Sequence, residues 1–100
     1  MKISDFQNLI KEIYFEKDRD RGLQGTFIWL VEEIGELATL INSKKKNPEK
    51  FSEELADIIA WTVSIANILN IDIDKALNKK YPNKCRKCNS IPCKCECKQI

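Results

Sequence analysis

The sequence predicts an all-α domain, a small bundle of about four helices, on the basis of three observations. Glycine and proline occur only three times each in 100 residues, so few positions interrupt regular structure. Apolar residues recur three and four positions apart along most of the chain, as they do in amphipathic helices. Hydrophobic residues make up 43% of the chain, which suffices for one modest core. Because that core is small, we expect homo-oligomerisation, as a homodimer or a homotetramer, to complete the bundle.

The first helix is predicted over residues 4–16. Ser4 followed by Gln7 forms a capping-box pattern, and the apolar residues after Ser4 have helical spacing. A run of alternating charges then leads to Gly22 and Gly25. These two glycines predict a loop between the first and second helices.

The second and third helices are predicted on either side of a lysine-rich connection. The second helix covers residues 27–42, with Thr26 as its N-cap. The lysines after it indicate a solvated turn, and a contact with phosphate is the less favoured interpretation. Asn47 and Pro48 then begin the third helix, because asparagine is a good N-cap and proline is tolerated at the first helical position. This helix should reach about Asn70, and its later half is apolar on nearly all sides, which favours enclosure by a second copy of the chain.

A short fourth helix precedes an abrupt change in composition. It begins at Asp72 or Asp74, and Pro82 ends it because the residue before a proline is disfavoured in a helix. The cysteines all follow Pro82. We therefore expect a helical domain over residues 1–82 and a cysteine-rich tail over residues 83–100.

The composition also bears on the function classes open to this protein. The net charge of +2 is too small to predict nucleic-acid binding by itself. No apolar run is long enough to span a bilayer, and the N-terminus lacks the core of a signal peptide. We therefore expect no membrane association and a cytoplasmic location. In that reducing compartment, the five cysteines predict metal binding rather than disulfides.

Two rows of side chains run along the second and third helices. The apolar row, predicted to form the core, comprises Phe27, Leu30, Val31, Ile34, Leu37, Ala38 and Ile41, then Phe51, Leu55, Ile58, Thr62 and Leu69. The row beside it carries two pairs of carboxylates, each pair spaced three residues apart: Glu33 and Glu36, then Glu54 and Asp57. Trp29 and Trp61 lie in line with these pairs. The carboxylates are thus predicted to lie among apolar side chains.

Carboxylates in such surroundings require a partner, because acids are seldom buried alone. In an antiparallel hairpin the two pairs would face each other. Two carboxylates about 4 Å apart repel by roughly 4 kcal/mol at an effective dielectric near 20, so four of them must take up protons or bind a cation. Mg²⁺ suits a few carboxylates with retained waters and substrate phosphates, and Mn²⁺ is the alternative ion. The competing interpretation is a half-solvated face that binds nothing. Two pairs, each in register with a tryptophan, favour the metal.

The cysteines of the tail form a short metal-knuckle pattern. Four thiolates in tetrahedral geometry suit Zn²⁺. We expect Cys85, Cys88 and Cys93 to bind it together with either Cys95 or Cys97. The alternative is a reduced tail without metal. The chain has no histidine, and a closed structural site is favoured over a catalytic zinc.

The tail is also basic, with seven basic residues and one acid between positions 79 and 98. It lacks the interleaved aromatic residues of a stacking platform for bases. Nucleic acid is therefore not the expected partner.

Two segments of the chain are similar to a known family. Glu32-Glu33-Ile34-Gly35-Glu36-Leu37 and Glu53-Glu54-Leu55-Ala56-Asp57 resemble the Glu-x-x-Glu and Glu-x-x-Asp motifs of MazG-type nucleoside triphosphate pyrophosphohydrolases, in the all-α NTP pyrophosphatase superfamily. Seventeen residues separate Glu36 from Glu54. The resemblance covers roughly residues 1–82.

The resemblance implies an enzyme that hydrolyses an NTP or dNTP between the α- and β-phosphates to a monophosphate and pyrophosphate. It also implies that the four carboxylates hold Mg²⁺, and that the enzyme removes non-standard nucleotides. Such chemistry needs charge neutralisation and positioning more than a protein nucleophile. Glu33 is the candidate catalytic base, with Glu32 as the alternative.

Four further residues are candidates for substrate binding. Trp61 lies one turn beyond Asp57, and we expect it either to pack against the base or sugar or to form a wall of the core. Asn78, Lys79 and Lys80, at the end of the fourth helix, are candidates for contacts with phosphate or base.

Two other functions compete with hydrolysis. A di-iron centre would need Glu-x-x-His motifs, which a chain without histidine lacks. The other alternative is a non-enzymatic helical dimer whose zinc tail binds a protein or nucleic-acid partner.

Overall fold

The computed structural model describes residues 1–96, which form three helices and an irregular tail. The helices are α1 (Ile3–Asn42), α2 (Pro48–Ile68) and α3 (Ile73–Lys80). These described residues contain no strand, so the all-α prediction is confirmed. Cys97, one of the predicted zinc ligands, lies outside the described residues.

A single residue replaces the loop that was predicted between the first two helices. Residues 17–26 are helical, and the backbone leaves helical geometry only at Gly22, with φ 84° and ψ 171°. Two helical segments therefore meet at a kink at Gly22, as the two predicted helices do, but the predicted loop between residues 16 and 27 is absent. A positive φ of this size is strained for residues with a β-carbon and free for glycine, so one glycine redirects α1 without a loop.

The connection between α1 and α2 agrees with its predicted capping. The Asn47 side chain accepts hydrogen bonds from the backbone N–H groups of Glu49 and Lys50, and Pro48 occupies the first turn of α2. Lys46 donates to the backbone carbonyls of Ile41 and Ser43 at the end of α1. This lysine therefore caps α1. For α3, Asp72 is the N-cap and accepts from the N–H of Lys75, which decides between the two predicted starts.

The start of α1 is fastened to the α2–α3 junction by a buried polar network around Gln7. Its side-chain amide donates to Asn67 Oδ1 at 3.0 Å and to the Ile71 carbonyl at 2.7 Å, and its side-chain oxygen accepts from the N–H of Ile73 at 3.0 Å. The predicted capping role of Gln7 is therefore wrong. The helix start is instead capped through Lys2, whose N–H donates to Asp5.

The two long helices pack as an antiparallel hairpin. Gln7 meets Asn67, whereas Trp29, later in α1, stacks on Trp61, earlier in α2. Both parts of α1, before and after Gly22, therefore run along α2. This arrangement faces the two acid-bearing segments toward each other.

The apolar row that was predicted as core lies largely on the outside of the single chain. Residues of this row exposed to solvent include Phe27, Val31, Ile34, Ile41 and Leu55. Among the described residues, the fully buried apolar side chains are Ile10, Val63 and Ala66. The prediction of this row as the core of one chain is therefore wrong for its exposed members, whereas Leu30, Leu37, Phe51 and Ile58 are half-buried. The contacts between α1 and α2 include the Trp29–Trp61 stack and the glutamates of the neighbouring row.

No single helix within residues 1–96 is long and apolar enough to cross a bilayer; α2 and α3 meet such a criterion only when combined across their 103° bend.

Candidate active site

Three of the four predicted carboxylates converge between α1 and α2. Glu33 and Glu36 project from one face of α1, three residues apart, and Glu54 projects from α2. One oxygen of each lies within 4.8 Å of the others. The helical period aligns the first two, and the antiparallel packing brings the third to them.

Burial and crowding change the acidity of this cluster. One oxygen of Glu33 and one of Glu54 are buried and receive no hydrogen bond from the described residues. A proton on Glu54 allows it to donate to Glu33. This hydrogen bond, with burial and the neighbouring charge of Glu36, raises the pKa of Glu54 to about 7. The cluster therefore holds a proton near neutral pH unless a cation replaces it.

The donor set fits a hard divalent cation. It consists of carboxylate oxygens alone, two of them without a partner, and oxygen ligands are those that Mg²⁺ and Mn²⁺ prefer. Glu36 is exposed, so the cluster is open to solvent on one side. An open side leaves room for waters and for substrate phosphates.

Asp57 and Glu32, two other acids with predicted roles, lie outside the cluster. Glu32 is exposed. Asp57, one turn beyond Glu54 on α2, is also exposed and lines an adjoining cleft. Its predicted part in metal binding stays a prediction.

That cleft has a volume of about 340 Å³ and lies between the first part of α1 and the middle of α2. It is lined by Ile10, Tyr14, Lys17, Asp18, Arg21, Asp57, Ala60, Trp61 and Ser64. Trp61 stacks on Trp29 with ring centroids 6.2 Å apart and planes inclined by 14°. Trp29 lies one turn before Glu33 and Trp61 one turn after Asp57, so the tryptophan pair lies on the same helix faces as these acids.

Arg21 is held against the tryptophan pair by a network that the sequence interpretation missed. Its guanidinium lies 5.0 Å from the centre of the Trp61 ring, a cation–π distance. Its Nη1 donates to Asp18 Oδ1 at 3.0 Å and to Thr26 Oγ1 at 3.2 Å. Asp18 is 1% exposed and Thr26 is 0% exposed, so a buried frame fixes this cation beside the cleft.

Two sequence features could have revealed this network. Asp18 and Arg21 are spaced three residues apart, as helical ion pairs are, but the alternating charges suggested a solvated loop. Gly25 is the second feature. A β-carbon at residue 25 would lie 2.7 Å from Arg21 Cγ. The Arg21 side chain therefore packs against Gly25, and a larger residue at position 25 would displace it.

The other predicted substrate residues lie elsewhere. Asn78, Lys79 and Lys80 occupy the last turn of α3 and do not line the cleft. Lys79 and Lys80 are exposed beside Arg86, around a separate surface depression. Of the four candidates, only Trp61 belongs to the cleft.

A second cluster of potential metal ligands lies in the tail. Cys85, Cys88, Cys93 and Cys95 have sulfur atoms within 4.8 Å of one another, and all four are free thiols. Hydrogen bonds from backbone N–H groups lower the pKa of Cys85 and lower that of Cys88 to about 6. The Cys95 thiol donates to its neighbours, Cys93 first, which raises its pKa to about 12.

A known family matches the segment of the chain that carries the carboxylate cluster. Residues 21–89 match the family model described as the MazG nucleotide pyrophosphohydrolase domain. The matched span includes the carboxylate cluster, Arg21 and Trp61. No curated protein matches the chain.

Proposed function

The chain belongs to the MazG nucleotide pyrophosphohydrolase family, and from this premise we propose that it hydrolyses nucleoside triphosphates, ribo or deoxy, to the monophosphate and pyrophosphate with Mg²⁺. Family membership supports nucleotide pyrophosphohydrolysis in general. The choice of triphosphates and of Mg²⁺ is our proposal.

The observation that carries the proposal is the convergence of Glu33, Glu36 and Glu54. Their oxygens lie within 4.8 Å of one another, and two buried oxygens lack a hydrogen-bond donor. An arrangement of this kind is unfavourable without a proton or a cation. Mn²⁺ satisfies the same donors and is the alternative ion.

The carboxylates divide into metal ligands and a proton acceptor. Glu33, Glu36 and Glu54 would hold the ion, with Asp57 as the predicted fourth ligand at the mouth of the cleft. When bound, Mg²⁺ supplies neutralisation of phosphate charge and a more acidic water. Glu33 remains our candidate base, since a buried oxygen without a donor can accept a proton from the attacking water.

Arg21 provides positive charge that the carboxylate cluster lacks. A triphosphate carries several negative charges and would be repelled by the acids alone. The guanidinium is one-quarter exposed at its side chain and keeps donors that Asp18 and Thr26 do not use, and such donors suit phosphate oxygens. We assign Arg21 to binding of the substrate, and Asp18 to positioning Arg21.

Trp61 is assigned to contact with the nucleoside. It lines the cleft, and its half-buried ring offers an apolar surface next to the carboxylates. A base or sugar placed there would let the phosphate chain reach the metal ligands.

Self-association with a second copy of the chain is part of the proposal. Exposed apolar side chains on α1 and α2 include Phe27, Ile28, Val31, Ile34 and Ile59. Few apolar side chains are buried in one copy, and a second copy packed on these residues would remove their apolar surface from water. We propose a homodimer or homotetramer in a reducing cytoplasm that keeps the thiols free. Light scattering after gel filtration measures the oligomeric state, and a monomer at micromolar concentration would contradict it.

The decisive experiment measures pyrophosphate release from a panel of NTPs, dNTPs and base-modified triphosphates, with Mg²⁺ and with Mn²⁺. We expect cleavage of at least one triphosphate, abolished by EDTA and restored by Mg²⁺. Glu36→Gln should lower kcat/KM by at least about 100-fold, because a metal ion contributes several kcal/mol to such transition states.

The matched control is Glu32→Gln, which neutralises an exposed neighbour outside the cluster. It should retain activity if Glu33 is the base. If the wild-type protein cleaves no triphosphate in the panel with either ion, the proposal fails and a non-enzymatic helical module becomes the better account.

A further inference from the structure

Within residues 82–96, the described part of the tail after α3, there is no separate hydrophobic core. No side chain between residues 82 and 96 is fully buried, and the half-buried ones are Cys85, Cys88, Ser90 and Cys95. Ile91, the aliphatic residue of this segment, is 75% exposed. The inward-facing groups are therefore mostly sulfur atoms, and burial of apolar surface does not explain their convergence.

The sulfur atoms have the separation expected for ligands of one tetrahedral ion. Cys85 Sγ and Cys95 Sγ lie 3.8 Å apart, and all four sulfurs lie within 4.8 Å of one another. Zn–S bonds of about 2.3 Å at tetrahedral angles place sulfur atoms about 3.8 Å apart. A disulfide would require about 2.05 Å.

The backbone supports the sulfurs as it does in metal knuckles. The N–H of Lys94 donates to Cys88 Sγ at 3.4 Å, and the N–H of Cys95 donates to Cys93 Sγ at 3.3 Å. Such contacts stabilise thiolates and orient them. A tight turn closes the loop, since Asn89 N–H donates to the Cys85 carbonyl at 2.9 Å and Asn89 has φ 60°.

We propose that Cys85, Cys88, Cys93 and Cys95 form a closed structural Zn²⁺ site, that Cys97 is not required for it, and that the ion holds the tail in its fold. Four thiolates complete the tetrahedral sphere of zinc and leave no open position for substrate. The cleft is lined by residues no later in the chain than Ser64. The zinc site is therefore independent of hydrolysis.

Metal analysis of the reduced full-length chain, with Co²⁺ substitution, tests the ligand set. We expect one zinc per chain, and thiolate-to-cobalt charge-transfer bands with the intensity of four sulfur ligands. Cys95→Ser should weaken zinc binding by at least about 100-fold, since loss of even an outer-shell partner costs 10- to 100-fold. Cys97→Ser is the matched control and should keep the affinity and the cobalt spectrum.

Two further measurements separate a lost site from a misfolded variant and from zinc bound elsewhere. Circular dichroism of Cys95→Ser should retain the helical signal, because α1–α3 do not depend on the tail. Glu36→Gln should keep one zinc per chain. A protein that binds no zinc, that binds iron in preference to zinc under anaerobic purification, or that loses zinc in Cys97→Ser but not in Cys95→Ser would overturn the proposal.

Amide hydrogen exchange tests the role of the ion. Removal of zinc by a chelator should abolish protection in residues 82–96 and leave the protection of α1 and α2 unchanged. Unchanged exchange in the tail after complete zinc removal would contradict a structural role.

Discussion

The carboxylate cluster and the cysteine cluster both place potential metal ligands within 4.8 Å of one another, but they are assembled in different ways. The carboxylates come from two long helices and converge only after those helices pack. The cysteines come from one short segment and are brought together by its turns. The carboxylates number three and are open on the side of Glu36, whereas the four sulfurs form a complete set.

This difference suits the carboxylate cluster to an ion that other molecules must reach, and the cysteine cluster to an ion that is fully enclosed by its ligands. Oxygen ligands with an open side suit an ion that retains water and receives phosphates. Four sulfur ligands suit an ion that no other molecule must reach. The open cluster also depends on its surroundings, namely the tryptophan pair and Arg21. If the two clusters are independent, variants of the carboxylate cluster should keep the zinc content of the wild type, which is measured in every case.

The largest effect is expected for Glu33→Gln. The change removes a charged ligand and the candidate base, so kcat/KM for the triphosphate cleaved by the wild type should fall by at least about 100-fold. Zinc content should remain that of the wild type. Activity within tenfold of the wild type would mean that Glu33 is neither a required ligand nor the base.

A smaller loss is expected for Arg21→Lys. Lysine keeps the charge but cannot bridge Asp18 and Thr26 while it faces the cleft. Hydrogen bonds to charged groups contribute roughly 1.5–3 kcal/mol, so kcat/KM should fall by about tenfold or more, chiefly through a higher KM. Arg19→Lys is the control, because Arg19 is exposed and pairs only loosely with Asp20 at 3.9 Å. If Arg19→Lys lowers kcat/KM as much as Arg21→Lys does, Arg21 has no specific role in binding the substrate.

Gly25→Ala should disturb Arg21 without touching any polar group. The new β-carbon would approach Arg21 Cγ to 2.7 Å, so the side chain must leave its place, and we expect a higher KM. Gly35→Ala, in the same helix, is the control because its β-carbon would meet nothing within 4 Å. That variant should gain roughly 0.5–1 kcal/mol of stability from helix propensity. A rise in KM for Gly35→Ala alone would contradict the account of Arg21.

The smallest effect concerns pH and the metal-free protein. The pKa of Glu54 is raised from 4.5 to about 7 in the folded state, so the folded state binds a proton more tightly than the unfolded chain. The contribution of Glu54 to stability is therefore greatest below pH 4.5 and falls as the pH rises toward 7. In EDTA, Tm should decrease across this window, and added Mg²⁺ should offset the decrease at pH 7 and above.

Glu54→Gln should flatten this part of the Tm profile, whereas Glu32→Gln should not. Thermal unfolding in EDTA between pH 4.5 and 8 measures both. Parallel profiles for wild type and Glu54→Gln would show that the carboxylates do not share a proton.

Features that depend on local spacing could be predicted from the amino-acid sequence. Helical periodicity predicted the all-α class, and the caps Asn47 and Asp72 were readable because a cap acts on backbone groups two or three residues away. The spacing of Glu33 and Glu36 placed them on one face of a helix. The close spacing of the cysteines predicted a metal knuckle for the same reason.

Features that depend on partners far apart in the chain could not be predicted and required the packed helices. Both rows of α1 have helical spacing, so periodicity could not say that the carboxylate row faces α2 while Phe27 and Ile34 face outward. The alternating charges around Arg21 predicted a loop. In the structure α1 changes direction at Gly22 alone, and the Arg21 guanidinium packs on the ring of Trp61, a residue 40 positions away in the chain. The choice between Cys95 and Cys97 likewise remained open in the sequence. The structure places the sulfur of Cys95 3.8 Å from that of Cys85, and Cys97 lies outside the described residues. Local spacing fixes which side chains share a face, whereas the packing of distant segments decides what that face meets.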